Sequence, residues 1–419
     1  MATTDTNNLL DFQDPGALPK ELMDVPGFVN ELKNHTMKVA ARPNEPLAFA
    51  GALAMTAHLS GRTYRDAHGT RTNLYLAALA PSGMGKEEPR VVNKLLAAAA
   101  GNAESIPDAI ASGEGLEEAM AENPSLLLQC DEADALLTAM RGADSRASKL
   151  NEMILRFFSE SKSVHALRLK ASDKGQVKVI PFPHLTLFAT GIPQFFYGAL
   201  NDKALQNGLL GRCLFLDTDE FRPYGEMTEE KIPEELVGMA RRWVALEQRI
   251  VETGTLNPIV VGETSEAKLK IAEMKFTCDE ITRRLMDSDL GTAASLYVRV
   301  PEKALKLSLL RAISANPEMP QMTGEDIVWS GKFVSHVTKR MLYMSQFYVA
   351  EGKFDRLKKR FIALLTKAGG QLDRTTLLRK LNIDSSTFQK IVMTLHMSDM
   401  IEEEMLSRRK TIYTLKTAA

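Results

Sequence analysis

The sequence predicts an α/β core, then a helical region, then a small C-terminal domain of three helices and a β-hairpin. Three observations carry this expectation. An apolar run ending at Ala80 is followed by the glycine turn Pro81-Ser82-Gly83-Met84-Gly85 and then by helical periodicity from Arg90 to Ala100. Short apolar runs recur downstream at Leu126–Cys130, Leu185–Thr190 and Cys213–Asp217 (CLFLD), the spacing of strands alternating with helices. The last stretch, after Gly352, reads as helix, helix, helix and hairpin.

In chain order, the first 25 or so residues are polar and acidic with Pro15 and Pro19, which predicts a loose arm, placed here at residues 1–35. Pro46–Leu59 is rich in Ala, Leu and Met and predicts a buried helix. Thr63–Asp66 and Asn73–Leu79 are β-like, and DAHGTR between them supplies the turn residues of a hairpin. Helical periodicity covers about Ala133–Ser159. SKSVHALRLKASDKGQVKVIPFPH alternates, turns at Ala171–Gly175 and alternates again, which predicts a second hairpin. After Arg222-Pro223 the pattern is mostly helical, from about Glu229 to Ala350. At the end, Phe354–Lys367 is an amphipathic helix, Asp373 caps a second helix through Leu381, and Asp384 caps a third to about Met397. MIEEEML and TIYTLK then form a hairpin with the basic tip SRRK. A chain of 419 residues exceeds one hydrophobic core, and these shifts divide it at 36–222, 223–351 and 352–419.

Charge and cysteine usage narrow the class. The formal net charge is −1, which points to neither a nucleic-acid coat nor an acidic-tail protein. The charge is uneven, however: from Gly352 onward there are 14 Lys/Arg against 7 Asp/Glu, a local hint of a polyanionic partner. Cys130, Cys213 and Cys278 have no paired spacing, so reduced thiols are expected rather than zinc or disulfides. No basic start with an apolar segment and no long apolar run is present, so a soluble, cytoplasmic, non-membrane protein is expected.

The turn carries the chemistry. A strand, a glycine turn, Lys86 and a helix start aim backbone N–H groups and a helix N-terminus at a di- or triphosphate, with the lysine on its outer phosphates. The pattern G-x-x-x-x-G-K-[ST] is met only in part, because Ala80 replaces the first glycine and Glu87 the hydroxyl residue that holds Mg²⁺. ATP with Mg²⁺ is the ligand expected on Pro81, Ser82, Gly83, Met84, Gly85, Lys86 and Glu87. The strand SLLLQC ends in Asp131-Glu132, placing one carboxylate toward the metal, with Glu87 as a further oxygen source, and the other where it orients an attacking water. Carboxylates at a strand end are also helix caps. Thr190 ends a further strand, where it can sense the γ-phosphate. Arg212 precedes CLFLD, as either an arginine finger for a neighbouring subunit or a surface ion pair.

Two basic surfaces are candidates for nucleic acid. The second hairpin holds Arg168, Lys170, Lys174 and Lys178, which either grip a phosphate backbone or protect an edge. The terminal domain reads as a winged helix, with Ser385, Ser386, Gln389 and Lys390 on its third helix and Arg408, Arg409 and Lys410 on its wing. Such domains bind DNA or protein partners.

Four stretches carry a family resemblance: GRTYRDAHGTRTNLYLAALAPSGMGKEEP, SGEGLEEAMAENPSLLLQCDEADALLTAM, LTLFATGIPQFFYGAL and NGLLGRCLFLD. In this order, residues 46–217 resemble a family of phage, plasmid and bacterial P-loop ATPases encoded near primases and other replication genes. A more distant resemblance is to AAA+ ring helicases of the minichromosome-maintenance type. The resemblance implies an α/β P-loop NTPase core of the AAA+/RecA-like kind with a helical lid and a C-terminal winged helix. It also implies Arg212 as finger and Arg299, opening the helix of YVRVPEKALKLSLLRAIS, as a second sensor. The function implied is an ATP-hydrolysing replication protein in the cytoplasm of a bacterial host. It would be a ring-forming helicase or translocase, a homo-oligomer for which a hexamer is one ring size, acting on single-stranded DNA with partners such as a primase. A helicase loader, a recombination mediator and a nucleotide-dependent DNA-binding scaffold remain alternatives.

Overall fold

The structure is a computed structural model that describes residues 13–107, 110, 112–133, 145–168, 178–199, 208–225, 230–252, 258–348, 353–407 and 410–416. The chain falls into two compact units. One comprises residues 1–196 and 203–341, the other residues 197–202 and 342–419.

The first unit is built on a parallel sheet. Its strands are β2 (Tyr75–Leu79), β3 (Ser125–Cys130), β6 (His184–Gly191) and β7 (Cys213–Asp217), in the order β3-β6-β2-β7. All three pairings are parallel, with Tyr75 opposite both Leu187 and Cys213, and Leu126 opposite Leu185. Every residue of the central strand YLAAL is buried, as befits a strand covered on both faces. Helix α1 is Phe28–Val39 and α2 is Glu45–Ser60. Helix α2 is apolar nearly all round and lies inside the unit, against α1, β2 and β6. Asn44 caps it, its side chain accepting from Leu47 N at 3.4 Å. Helix α3 (Glu88–Ala99) follows the glycine turn, α4 (Gly113–Glu122) leads into β3, and α5 is Ser145–Glu160.

Several expectations need correction. The arm does not extend to residue 35. Val25, Phe28, Val29 and Leu32 are fully buried, and Val29 N donates to Ser314 Oγ at 3.0 Å. Gly27 has φ 78°, and a Cβ there would lie 1.9 Å from Ser314 O, so only glycine fits this approach. Residues 28–39 form an amphipathic helix whose apolar side is buried. Nor do residues 63–79 form a hairpin. Asp66 Oδ1 does accept from His68 N and Thr70 N and makes the turn. However, β1 (Tyr64–Asp66) pairs in parallel with β8 (Ile259–Glu263), while β2 enters the central sheet. The strand β8 and the short β9 (Gln321–Met322) also interrupt the region expected to be helical, and the three strands make a sheet ordered β1-β8-β9.

The helical region does not stand apart from the core. It contains α8 (Glu234–Glu252), α9 (Ser265–Asp287), α10 (Gly291–Tyr297), α11 (Val300–Ala315) and α12 (Gly324–Tyr348), the short helices α6 (Pro193–Gly198) and α7 (Leu209–Arg212) preceding it. Lys303 Nζ donates to Cys213 O at 3.3 Å, Lys306 Nζ bonds Asn73 Oδ1, and Tyr64 OH donates to Pro317 O at 2.6 Å. Arg340 of α12 grips both oxygens of Asp217 at the end of β7. These contacts make one body of residues expected to be two. Among the described residues no helix is long and apolar enough to cross a membrane, and the three cysteines are free.

The second unit contains α13 (Lys353–Lys367), β10 (Gln371–Asp373), α14 (Arg374–Leu381), α15 (Ser385–Met397), β11 (Ile401–Ser407) and β12 (Lys410–Leu415). Asp373 and Asp384 cap α14 and α15 by accepting from Thr376 N and Thr387 N, each at 2.9 Å. Such caps stabilise a helix by about 1 kcal/mol. Strands β11 and β12 form the hairpin, and β10 adds to β12, giving an antiparallel sheet ordered β10-β12-β11. Phe361, Phe388 and Tyr413 meet with ring centroids 5.6 to 5.8 Å apart, at the centre of a core with Leu365, Leu377 and Ile391.

Candidate functional site

The carboxyl ends of the parallel strands face a common edge, where ligands of open α/β sheets bind. At the end of β2 the chain turns through residues 81–87 before α3 begins. Gly83 (φ 75°) and Gly85 (φ 81°) adopt backbone angles that L side chains rarely take. A Cβ on Gly85 would also lie 2.4 Å from Arg42 O, so the segment between α1 and α2 closes directly on the turn. Among the described residues, the backbone N–H groups of Ser82, Gly83, Met84 and Gly85 donate no hydrogen bond. Lys86 Nζ donates to Ala80 O at 3.1 Å, across the mouth of the turn.

One strand beyond β6, Asp131 leaves the end of β3. Its Oδ1 accepts from Thr190 Oγ1 at 2.9 Å and from Glu132 N at 3.0 Å, and its Oδ2 pairs with Arg90 Nη2 at 2.9 Å. Burial alone would raise this carboxyl. Thr190, Arg90 and the Glu132 amide outweigh it and hold the pKa below its ordinary value. Asp131 is therefore an anion at the carboxyl edge, with the Thr190 strand β6 between its own strand and that of the turn. Thr190 is fully buried, so its hydroxyl is oriented by this bond. Glu132 is exposed and has φ 53°, an uncommon angle for a long side chain. Ala133, the next residue, packs on Gly191, where a Cβ would meet Ala133 Cβ at 3.2 Å.

A cleft of about 380 Å³ joins these groups; Gly83, Gly85, Lys86, Glu87, Glu88 and Asp131 line it, together with Arg42, Arg90 and Tyr224. Glu87 is exposed at the helix start, and the carboxyl of its neighbour Glu88 is raised by burial and by the Glu87 charge. Among the described residues no three His, Cys, Asp or Glu side chains cluster closely enough to hold a metal ion by themselves. The donor set, two carboxylates at one edge, suits a Mg²⁺ that arrives with phosphate and water oxygens of its own.

The structure thus brings together Lys86, Glu87 and Asp131 with the turn, and Thr190 through its bond to Asp131; Glu132 follows Asp131 in the chain but does not line the cleft. Arg212 and Arg299 lie elsewhere. Arg212 precedes β7 at the amino end of the sheet, and four strand intervals of rise place it roughly 13 Å or more from the carboxyl edge. Its Nη1 donates to Gly208 O at 2.8 Å and its Nη2 to Ser159 Oγ at 3.3 Å. Arg299 is beside it: a Cβ on Gly211 would lie 3.4 Å from Arg299 Cγ. Burial first, and then the Arg299 charge, lower the Arg212 pKa. Arg299 in turn pairs with Glu302 at 2.8 Å.

Of the basic hairpin, the base is described. Strands β4 (Val164–Ala166) and β5 (Val179–Pro181) pair antiparallel, with His165 opposite Ile180. Arg168 is exposed but already ion-paired. Its guanidinium is engaged by Glu117 Oε2 at 2.8 Å and Glu114 Oε1 at 3.1 Å. Buried His165 completes the cluster, its Nδ1 2.6 Å from Glu160 Oε2 and its Nε2 3.2 Å from Glu117 Oε1. Arg168 therefore ties the ribbon to α4. Lys178 is exposed, while Lys170 and Lys174 lie outside the described residues. In the second unit Ser386, Gln389, Lys390 and Lys410 are exposed, Ser385 Oγ accepts from Arg374 at 3.0 Å, and Arg408 and Arg409 lie outside the described residues.

Arg90, Arg42 and Tyr224 are cleft residues that sequence reasoning missed. Arg90 stands in the first turn of α3, four residues after Lys86 in the turn. Arg42 and Tyr224 come from segments far apart in sequence, with no motif to link them.

Compared with known proteins, the chain matches no family model and no curated protein.

Proposed function

We propose that this protein binds ATP on the 81–87 turn, hydrolyses it, and uses the cycle to move or remodel DNA as a ring-like homo-oligomer. The supporting observation is the set of unpartnered backbone N–H groups at Ser82–Gly85, at the head of α3 and beside Lys86. Unpaired donors around a lysine at a helix N-terminus are the chemistry that phosphate oxygens satisfy. On this reading Lys86 exchanges Ala80 O for a phosphate. Asp131 and Glu87 are the oxygens that would hold Mg²⁺, which supplies charge neutralisation on the phosphates. Thr190, oriented by Asp131, hydrogen-bonds the terminal phosphate or the attacking water. Glu132, exposed and unencumbered by an ion pair among those described, accepts the proton of that water. Arg212 and Arg299 lie at the amino end of the sheet, away from Lys86, Arg42 and Arg90, which line the carboxyl edge. Arg212 with Arg299 therefore suits a neighbouring subunit's nucleotide, which is why an oligomer belongs to the proposal.

The terminal unit, with its capped helices and antiparallel hairpin, is proposed to be a winged helix, in which the exposed Lys390 and Lys410 would contact phosphates. The region 223–351 is proposed to act as the lid. A second reading is favoured by the Arg90–Asp131 pair and by Glu87 in the hydroxyl position: a nucleotide-dependent DNA-binding switch that hydrolyses slowly. One experiment separates the two. ATP turnover is measured with and without single-stranded DNA for the wild type and Glu132→Gln. Turnover stimulated by DNA and lost in Glu132→Gln, with ATP binding retained, supports the ATPase. Binding without turnover in both proteins supports the switch.

A further inference from the structure

Opposite the glycine turn, the cleft has a wall with no part in phosphate chemistry. Arg42, just after α1, lays its guanidinium over the Tyr224 ring, 3.8 Å from the centroid, and 5.5 Å from that of Phe221. The two segments are stitched together. Gly225 N donates to Ala41 O at 2.9 Å, Arg42 Nη1 donates to Arg222 O at 2.5 Å, and Pro43 packs where a Cβ of Gly225 would stand. The same Arg42 carbonyl closes on Gly85, so the wall is fixed to the turn through backbone. Tyr224 nevertheless remains 74% exposed and Phe221 69% exposed. An aromatic ring and a guanidinium plane stacked on each other, both lining the cleft, offer an outer face to a flat π system.

We infer that Tyr224 and Arg42 form the base-stacking platform of the nucleotide site, selecting purine nucleoside triphosphates by stacking area. This rests on the phosphate reading of the turn. The proposal assigns the cleft two halves: the turn and Lys86 take the charged phosphates, and the Arg42–Tyr224 wall takes the base. Stacking is tolerant of edge chemistry, so ATP and GTP bind alike, and the smaller pyrimidines of CTP and UTP bind less well.

Calorimetric binding of ATP, GTP, CTP and inorganic triphosphate to the wild type, Tyr224→Ala and Tyr224→Trp tests this. Tyr224 is exposed, so Tyr224→Ala leaves the fold intact, which its unfolding temperature checks. The wild type is expected to hold ATP and GTP about 5- to 100-fold more tightly than inorganic triphosphate, the range that one stacked base supplies. Tyr224→Ala brings ATP to within about 2-fold of triphosphate while triphosphate itself is unchanged, and Tyr224→Trp keeps the purine preference. An ATP preference retained in full by Tyr224→Ala overturns the platform. So does a wild type that binds triphosphate as tightly as ATP, and in that case the phosphate reading stands without it. If the wild type binds neither ATP nor triphosphate, the phosphate reading fails and takes the platform with it.

Discussion

His58, near the end of α2, is buried with its Nε2 2.8 Å from Ser105 Oγ, and burial lowers its pKa to about 4. His184 lies close by and is held well below its ordinary value by burial, then by the charges of His58, Lys306 and Arg71. Both rings are neutral in the folded protein, whereas in the unfolded chain each takes a proton near pH 6.5. Between about pH 6.5 and 4 the unfolded state therefore binds more protons, and stability falls as pH falls through that window. His58→Gln keeps a partner for Ser105 and removes one of the two titrations. Its unfolding temperature should fall less steeply between pH 6.5 and 4 than that of the wild type. An unchanged slope would show that His58 does not carry this sensitivity. At the site, the same scale explains what the sequence could show. Lys86 and Asp131 each follow an apolar strand, a local signal. That Asp131 is held by Thr190 and Arg90 depends on which strands are neighbours, and this no local pattern records.

The elements divide the nucleic-acid proposal into parts that respond differently to salt. On α15 and β12, Lys390 and Lys410 are exposed. If they meet phosphates, neutralising each to Gln flattens the slope of log affinity against log salt by roughly 0.7 to 0.9. Arg168 is already held by Glu117 and Glu114, so Arg168→Ala should leave that slope unchanged. Fluorescence titrations with labelled DNA between low and moderate salt measure both. Identical slopes for wild type and the Lys390/Lys410 variant would make the terminal unit a protein-binding domain. Legibility varied in the same way among the elements. The strands β2, β3, β6 and β7 and the capped helices of the second unit were readable because apolar runs and Asp caps are local. The pairing of β1 was not. Its turn residues predict a hairpin, yet β2 is apolar on both faces and is buried in the central sheet, leaving β1 to find β8 nearly 200 residues later. Strand β10, three residues long, has too little pattern to stand out and exists because β12 offers it an edge.

At the scale of the whole molecule, the first unit presents two opposite ends of one sheet. The carboxyl edge carries Lys86, Asp131 and Thr190; the amino edge carries Arg212 with Arg299 beside it. If the amino edge of one subunit completes the carboxyl edge of the next, Arg212→Ala leaves ATP affinity nearly intact and cuts turnover by about 10³-fold or more. Mixing it with Lys86→Ala then restores part of the activity, since each protein supplies the edge that the other lacks. A monomeric protein with full turnover would exclude that arrangement. All of this depends on one claim, that the turn at residues 81–87 is where ATP binds. Calorimetric titration of ATP into the wild type and Lys86→Ala, both verified as folded, tests it most directly. Saturable binding to the wild type and none measurable to Lys86→Ala is the expected result. Equal affinity in the two proteins would contradict it.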